Sequence, residues 1–554
     1  MMNNKYKIVF GLVALFALTT LLSSTPNDRY FDISKNLDIF STLFKEVNAY
    51  YVDEVNPNEL MKTGIDAMLA SLDPYTNYIS EDDIEDYRTM TTGQYGGIGA
   101  LIGRNDNKNM IIMPYDGFPA HKAGLKIGDE ILKIDDINVV QKSTSEISQL
   151  LKGQAKTPLK VLVKRFGEEN ELEFNLVREK ITIDNVPYSG MVNQTVGYIK
   201  LSDFTTGAGK EVANALNALK KQGAQKIILD LRDNPGGLLV EAVNVANVFV
   251  PKGKEVVSTK GKIADWNKSY KTLENAVDNE IPVAVLVSSR SASAAEIVAG
   301  VIQDYDRGIL IGEKTFGKGL VQATRPLTYN SQLKVTTAKY YIPSGRCIQS
   351  INYSIRDEDG SISKIPDSLK AEFKTVNGRK VYDGGGVDPD ISTERKNYAP
   401  ITVSLVSKGL VFRYATEFYY KNQEVKPDPK TFKITEDQYA SFVKWLDDKD
   451  YDYTTRVEKT IDNLTEYAKK EQYFENIREQ IDELKKQVMH NKESDLMQFK
   501  AEISEILEEE IVSRYFLRNG VTEASFDDDL QINAALEALN NLDKYQELLA
   551  RDVK

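Results

Sequence analysis

Residues 288–322, SSRSASAAEIVAGVIQDYDRGILIGEKTFGKGLVQ, decide how the chain is read. They follow the apolar run PVAVLVSS (282–289), which has the length and composition of a buried strand. AAEIVAGVIQDY (294–305) is spaced as a helix, and GILIG (308–312) as another strand. Ser293 therefore stands between a strand and the N-terminus of a helix. There, free backbone N–H groups and the positive end of the helix dipole favour a negative charge. A serine at such a position is most often only an N-cap. As a nucleophile it needs something to take its proton, and the chain has only two histidines, His121 and His490, both remote in sequence.

Lys318 sits 25 residues beyond Ser293, between Gly317 and Gly319. A lysine serves as general base only when neutral, which means bringing its pKa from about 10.4 to about 7–8 at a cost of about 4 kcal/mol. Burial among apolar groups does this by penalising the ammonium. Phe316, Leu320 and Val321 are the neighbours expected to bury it, and Gln322 offers a neutral amide that would not restore the charge. GEKTFGKG (312–319) nearly matches a phosphate-binding loop. Gly319 stands where such a loop needs a hydroxyl, however, and a strand rather than a helix follows.

The same alternation extends upstream. GYIKL (197–201), a helical stretch from 207 to 222, KIILDLR (226–232), the turn DNPGG (233–237) and the helical LLVEAVNVANVFV (238–250) predict a largely parallel sheet covered by helices. DNPGG also lies between a strand and a helix, so its backbone donors can converge on the neighbourhood of Ser293. Residues 34–92 read as mainly helical. Between these regions, YGGIGA (95–100) and PAHKAGLKIGDEILKIDDINV (119–139) resemble a PDZ domain. In such a domain Gly97, Ile98 and Gly99 would offer a backbone nest for a terminal carboxylate beside an open strand edge. After about residue 400 the chain is rich in Lys, Glu and Tyr, with helical periodicity from about 433 to 550, and its charges are expected on solvated helix faces.

The chain has 554 residues and a net charge of −12 with no concentrated basic face, which argues against nucleic acid as a partner. A single cysteine, Cys347, and two isolated histidines supply neither an internal disulfide nor a metal site. Lys5 and Lys7 precede the apolar segment 8–22 and small residues at 23–25. That pattern predicts an export signal, either cleaved near 23–25 or retained as a short membrane anchor, with the rest of the chain outside the cytoplasm.

Together, SASAAEIVAG, QDYDRGILIGEKTFGKGLVQ and LDLRDNPGG resemble the carboxyl-terminal processing (tail-specific) proteases, a serine–lysine peptidase family with a PDZ domain. The resemblance spans about residues 40–395. It implies a multidomain α+β fold with a PDZ domain (93–180) placed before a crotonase-like strand–helix catalytic core (181–396). A helical lead (34–92) and a helical C-terminal extension (397–554) complete it, after the signal or anchor (1–25). It implies Ser293 as nucleophile, Lys318 as base and Gln322 as the residue orienting the lysine. The oxyanion donors fall on Ala294 and Gly237, with Gly236 as the alternative, and no cofactor or metal is implied. Ala295 departs from the serine many members carry. Asp304, at eleven residues or about 16 Å along a helix from Ser293, is too far to orient the base, and Glu296 is read as local support. The implied activity is an exported endopeptidase of the bacterial periplasm or the outer face of the cytoplasmic membrane that engages the C-terminal tails of protein substrates. An activating or adaptor protein and a homo-oligomer are the further partners considered. An inactive tail-binding scaffold and a crotonase-type acyl-CoA enzyme are the alternatives.

Overall fold

A computed structural model of the chain describes residues 27–550, apart from 354–355, 357–361, 395, 426 and 489–491. The expected export segment (1–25) and His490 lie outside the described residues. Among those described, no helix is long and apolar enough to cross a membrane. The chain divides into two units, residues 1–78 and 79–554. In the first, helices Asn27–Tyr50 and Pro57–Ala70 are separated by a break at which Asn56 caps the second helix, accepting from the Asn58 and Glu59 N–H groups.

The second unit is built around a six-stranded sheet in the order Tyr188–Met191, Val196–Lys200, Lys226–Asp230, Val283–Val287, Ile309–Gly312, Ile391–Ser392. The first pair is antiparallel and the remaining pairs are parallel. Side chains alternate between faces along a strand. Leu229, Val283, Val285 and Leu310 meet helices Ala208–Lys221, Leu239–Phe249 and Ala294–Asp304. Ile228, Ala284, Leu286, Ile309 and Ile311 face the other way. That second face is covered by the end of the chain: Phe526 and helices Leu530–Asn540 and Leu542–Leu549, which bury Ile532, Ala535, Leu539 and Tyr545 against it. The C-terminal segment thus does more than carry solvated charge. A parallel sheet must be dry on both faces, and its last helices supply one of them.

A second, antiparallel sheet includes strands Glu255–Gly261, Lys268–Lys271, Leu320–Pro326 and Gln332–Tyr341. The sequence reading anticipated the strand after Lys318 but not the return strand that makes it a long hairpin.

Residues 94–182 form a separate small core. Five antiparallel strands, Ala100–Asn105, Lys108–Pro114, Glu130–Ile134, Pro158–Lys164 and Leu172–Val177, pack with helix Thr144–Leu151 around Ile111, Ile131, Val139 and Val161. The short pair Gln94–Gly97 and Glu179–Thr182 closes it where the chain enters and leaves. Helices Pro400–Ser407, Leu410–Lys421, Glu436–Trp445 and Lys500–Ala524 share a core that includes Leu405, Leu410, Phe442 and Leu507, and helices Arg456–Lys470 and Phe474–Val488 pair around Ile461 and Ile481. The former group touches the PDZ-like core where Arg413 pairs with Asp106 at 2.8 Å and Asn105 donates to the Gly409 carbonyl.

Candidate active site

Ser293 occupies the N-cap position of helix Ala294–Asp304, but with φ 55° and ψ −114° rather than the extended backbone usual there. A non-glycine residue in this region is strained, and such strain persists only where the surroundings enforce it. Two buried side chains do so. Glu296, wholly buried, accepts the Ser293 N–H (2.8 Å) and the Lys318 N–H (2.9 Å) on one carboxylate oxygen. Its other oxygen accepts the Gly317 N–H (2.7 Å) and the Thr315 hydroxyl (2.6 Å). On the carbonyl side, the Tyr340 hydroxyl lies within hydrogen-bond reach of both the Ser293 and Lys318 carbonyl oxygens. The segments carrying the two candidate residues are therefore fixed to each other through both N–H and C=O groups. Burial pushes the Glu296 carboxyl up to about 7, although its four donors favour the anion.

Ser293 and Lys318 line one cavity of about 350 Å³ with Ala294, Gly236, Gly237 and Gln322. Gly236 is pressed against the serine: a Cβ there would lie 2.7 Å from the Ser293 Cβ, and its φ of 95° suits glycine. The Gly236 N–H is already engaged by the Asn234 side chain at 2.8 Å. The Gly237 and Ala294 N–H groups donate to no described residue, which leaves those two amides available to a developing oxyanion. Of the two glycines considered from sequence, Gly237 is the one with a donor to offer. Gln322 donates to the Thr336 hydroxyl at 3.1 Å across the hairpin, beside a register shift between Val321 and Gln322.

Phe316 corrects an expectation. It is 49% exposed and does not bury Lys318, because the 315–319 turn points its side chain outward. The apolar residues on the cavity wall include Leu320, Val321 and Ile297, with Met90, Leu238 and Leu239. Tyr340 and Thr336 were not singled out from sequence. Asp304 is buried in an ion pair with Arg346 and accepts the Ser344 N–H, so its carboxylate is committed at the far end of the helix. Cys347 is partly buried and does not line the cavity, with burial pushing its thiol up. His121 packs beside Asp116 and accepts the Gly117 N–H.

The LDLR motif has a structural use. Burial pushes the Asp230 carboxyl up, but Arg232 and Lys200 outweigh it and hold the group well below the usual carboxylate range. Arg232 also pairs with Asp529, tying the strand end to the final helices.

In the PDZ-like core, strand Ala100–Asn105 is an edge, with helix Thr144–Leu151 against it. Gly97 ends a paired strand. Ile98 directs its side chain into the core, while its carbonyl accepts from Ala120. At Gly99, φ is 70° and a Cβ would lie 2.5 Å from that of Phe118. The Ile98 and Gly99 N–H groups donate to no described residue.

A serine at a helix N-terminus and a lysine that line one cavity with two unengaged amides suit a serine-type peptidase. Comparison with known proteins agrees. Residues 195–357 match the model of peptidase family S41, 114–165 that of a PDZ domain, and 401–539 that of a probable PDZ-protease C-terminal helical domain. The chain is 36% identical over 353 residues to a carboxy-terminal-processing protease of Bartonella bacilliformis, covering 62% of this chain and 80% of that one. It is 32% identical over 408 residues to a probable CtpA-like serine protease of Staphylococcus aureus, covering 68% and 81%. Among solved structures, the photosystem II D1 C-terminal processing protease matches with 27% identity and a TM-score of 0.35, over 64% of this chain and 92% of that one. The chain belongs to peptidase family S41, among the carboxy-terminal-processing proteases.

Proposed function

We propose that this serine peptidase is an exported endopeptidase that captures the C-terminal tail of a protein substrate and cuts it with a Ser293–Lys318 dyad. The observation that carries the reading is the shared clamp on the two residues: one buried carboxylate accepts both of their N–H groups beside a pair of unengaged amides. Neutral Lys318 takes the proton from the Ser293 hydroxyl as Oγ attacks the substrate carbonyl. Gly237 and Ala294 donate to the oxyanion, Lys318 passes its proton to the leaving amine, and the acyl-enzyme forms. Water, deprotonated by the same amine, then releases the acid and regenerates Ser293. Gln322 orients the lysine from the hairpin without adding charge.

Tail capture falls to the Ile98 and Gly99 amides for the terminal carboxylate and the free edge of Ala100–Asn105 for the peptide backbone. The basic and apolar pattern of residues 5–22 supports export. Apolar side chains exposed along helix Asn27–Tyr50, among them Phe31, Leu37 and Leu43, support contact with a second copy.

The test is cleavage of an unfolded protein with an apolar C-terminus. Wild type is expected to cleave it, and to cleave it more slowly when the terminus is amidated. Ser293→Ala and Lys318→Ala are each expected to lose at least about 10³-fold in kcat while remaining folded. Cleavage persisting in both variants overturns the dyad, and indifference to amidation overturns tail capture.

A further inference from the structure

Another cation faces the same cavity. Lys334 lies on the return strand of the hairpin, paired with Thr324, two residues along from the pair formed by Thr336 and Gln322. Residues two apart on a strand share a face, so Lys334 and Thr336 project to the same side, and Lys334 is among the residues lining the cavity that holds Ser293. Its side chain is half-buried, and among the described residues no carboxylate lies within ion-pair distance of it. This is unusual company for an ammonium group. A cation partly stripped of water and left without a counter-ion is destabilised, and burial lowers the Lys334 pKa with no neighbouring charge acting on it. Several cations close to the catalytic sheet are matched by carboxylates: Arg232 by Asp230 and Asp529, Lys314 by Asp388, Arg290 by Asp233. The acid in the same cavity, Asp203, is influenced by Arg518 rather than by Lys334.

We propose that Lys334 is a specificity-determining residue of this peptidase: its ammonium is the subsite for a substrate carboxylate within a few residues of the scissile bond. The inference rests on the serine–lysine reading of the cavity and names the substrate chemistry that the cavity favours. Ser293 and Lys334 line the same cavity, so a carboxylate within a few residues of the bond held at Ser293 is placed to meet Lys334. Its arrival replaces the missing counter-ion and the lost water together, so the pair forms in a partly dry cavity where it is stronger than at an open surface. The carboxylate has two sources, an acidic side chain or the free terminus of a short tail. Both present the same anion.

A matched peptide series tests this. Each peptide carries Glu, Gln or Lys at one of the three positions on either side of a fixed cleavage site, with a free or an amidated C-terminus. The readout is the ratio of kcat/KM values within a set, which is independent of the absolute rate of a variant. Wild type is expected to favour Glu over Gln about tenfold at one position. The ratio is expected to fall to about one in Lys334→Met, to persist in Lys334→Arg and to invert towards Lys in Lys334→Glu. If the preference instead follows the free terminus and disappears on amidation, the terminal carboxylate is the ligand. A wild type with neither preference overturns the proposal without any variant, as does a Glu preference that survives Lys334→Met. If folded Lys334→Met and Lys334→Arg cleave no peptide at all, Lys334 belongs to the proton-transfer machinery and the subsite is again refuted. Failure of the dyad itself is read separately, from cleavage that persists in Ser293→Ala.

Discussion

Glu296 joins two residues 25 positions apart in sequence through a single oxygen atom, and under the proposed dyad its ionisation is therefore part of the catalytic geometry. Its carboxyl, pushed up to about 7 by burial, takes up a proton in the folded protein between that pH and the ordinary value near 4.5. On acidification through this window the group adds to stability, because the folded state binds the proton that the unfolded state does not. Under the proposed dyad activity moves the other way, since a protonated carboxyl turns one oxygen into a donor and can no longer accept from all four of its donors, and Lys318 must also shed a proton to act. Below pH 7 the acid limb of log kcat/KM is expected to steepen beyond unit slope, and Glu296→Gln to reduce it to unit slope. Gln presents an NH₂ group to at least one backbone donor, so kcat should also fall about 10²-fold through misplacement. A pH–rate profile with unit slope in both proteins contradicts this role. Ser293 and Lys318 were legible in sequence because each sits in a local pattern, a strand–helix junction and a glycine-flanked turn. Glu296 was visible as a nearby acid, but its grip on Lys318 exists only once the 315–319 turn folds back over the helix.

At the scale of elements, the hairpin Leu320–Pro326/Gln332–Tyr341 and the final helices were the least legible parts. QLKVTTAKYY (332–341) carries no motif, and its contributions to the site, Thr336, Lys334 and Tyr340, depend on strand register. The run VAVLV (283–287) is apolar on both faces and so announces a buried strand without saying what covers each side. Helix Leu530–Asn540 answers for one side, and its apolar positions had looked like those of any surface helix. Ile532→Ala and Leu539→Ala, both at fully buried positions, should each cost about 2–5 kcal/mol and lower the unfolding midpoint of the catalytic core. Ending the chain at residue 525 should expose the whole second face and yield an inactive, aggregating protein. Soluble, active protein from that truncation would show that the face is covered in some other way.

Across the whole of residues 79–554, the C-terminal helices touch both the PDZ-like core and the catalytic sheet. The contact with the PDZ-like core is polar and partly solvated, through Arg413–Asp106 and Asn105–Gly409. That with the sheet is apolar and dry. The two should respond differently to perturbation. A double-mutant cycle with Arg413→Glu and Asp106→Arg should give a coupling of about 1 kcal/mol or less, screened by salt, with the swapped pair partly restoring the wild-type midpoint. A coupling of several kcal/mol would mark this contact as a rigid join. The three regions were recognisable from composition and motif. Their mutual attachment was not, because it joins residues hundreds of positions apart, in pairs such as Arg413–Asp106 and across the apolar face of the sheet.

The position of the last helices also governs when this peptidase can exist. A ribosome delivers the PDZ-like core, the serine, the lysine and their shared carboxylate well before it delivers residues 526–549. Until residues 526–549 emerge, one side of the catalytic sheet stays wet and the strand ends beside the cavity lack their backing. Up to that point the nascent chain is a latent hydrolase.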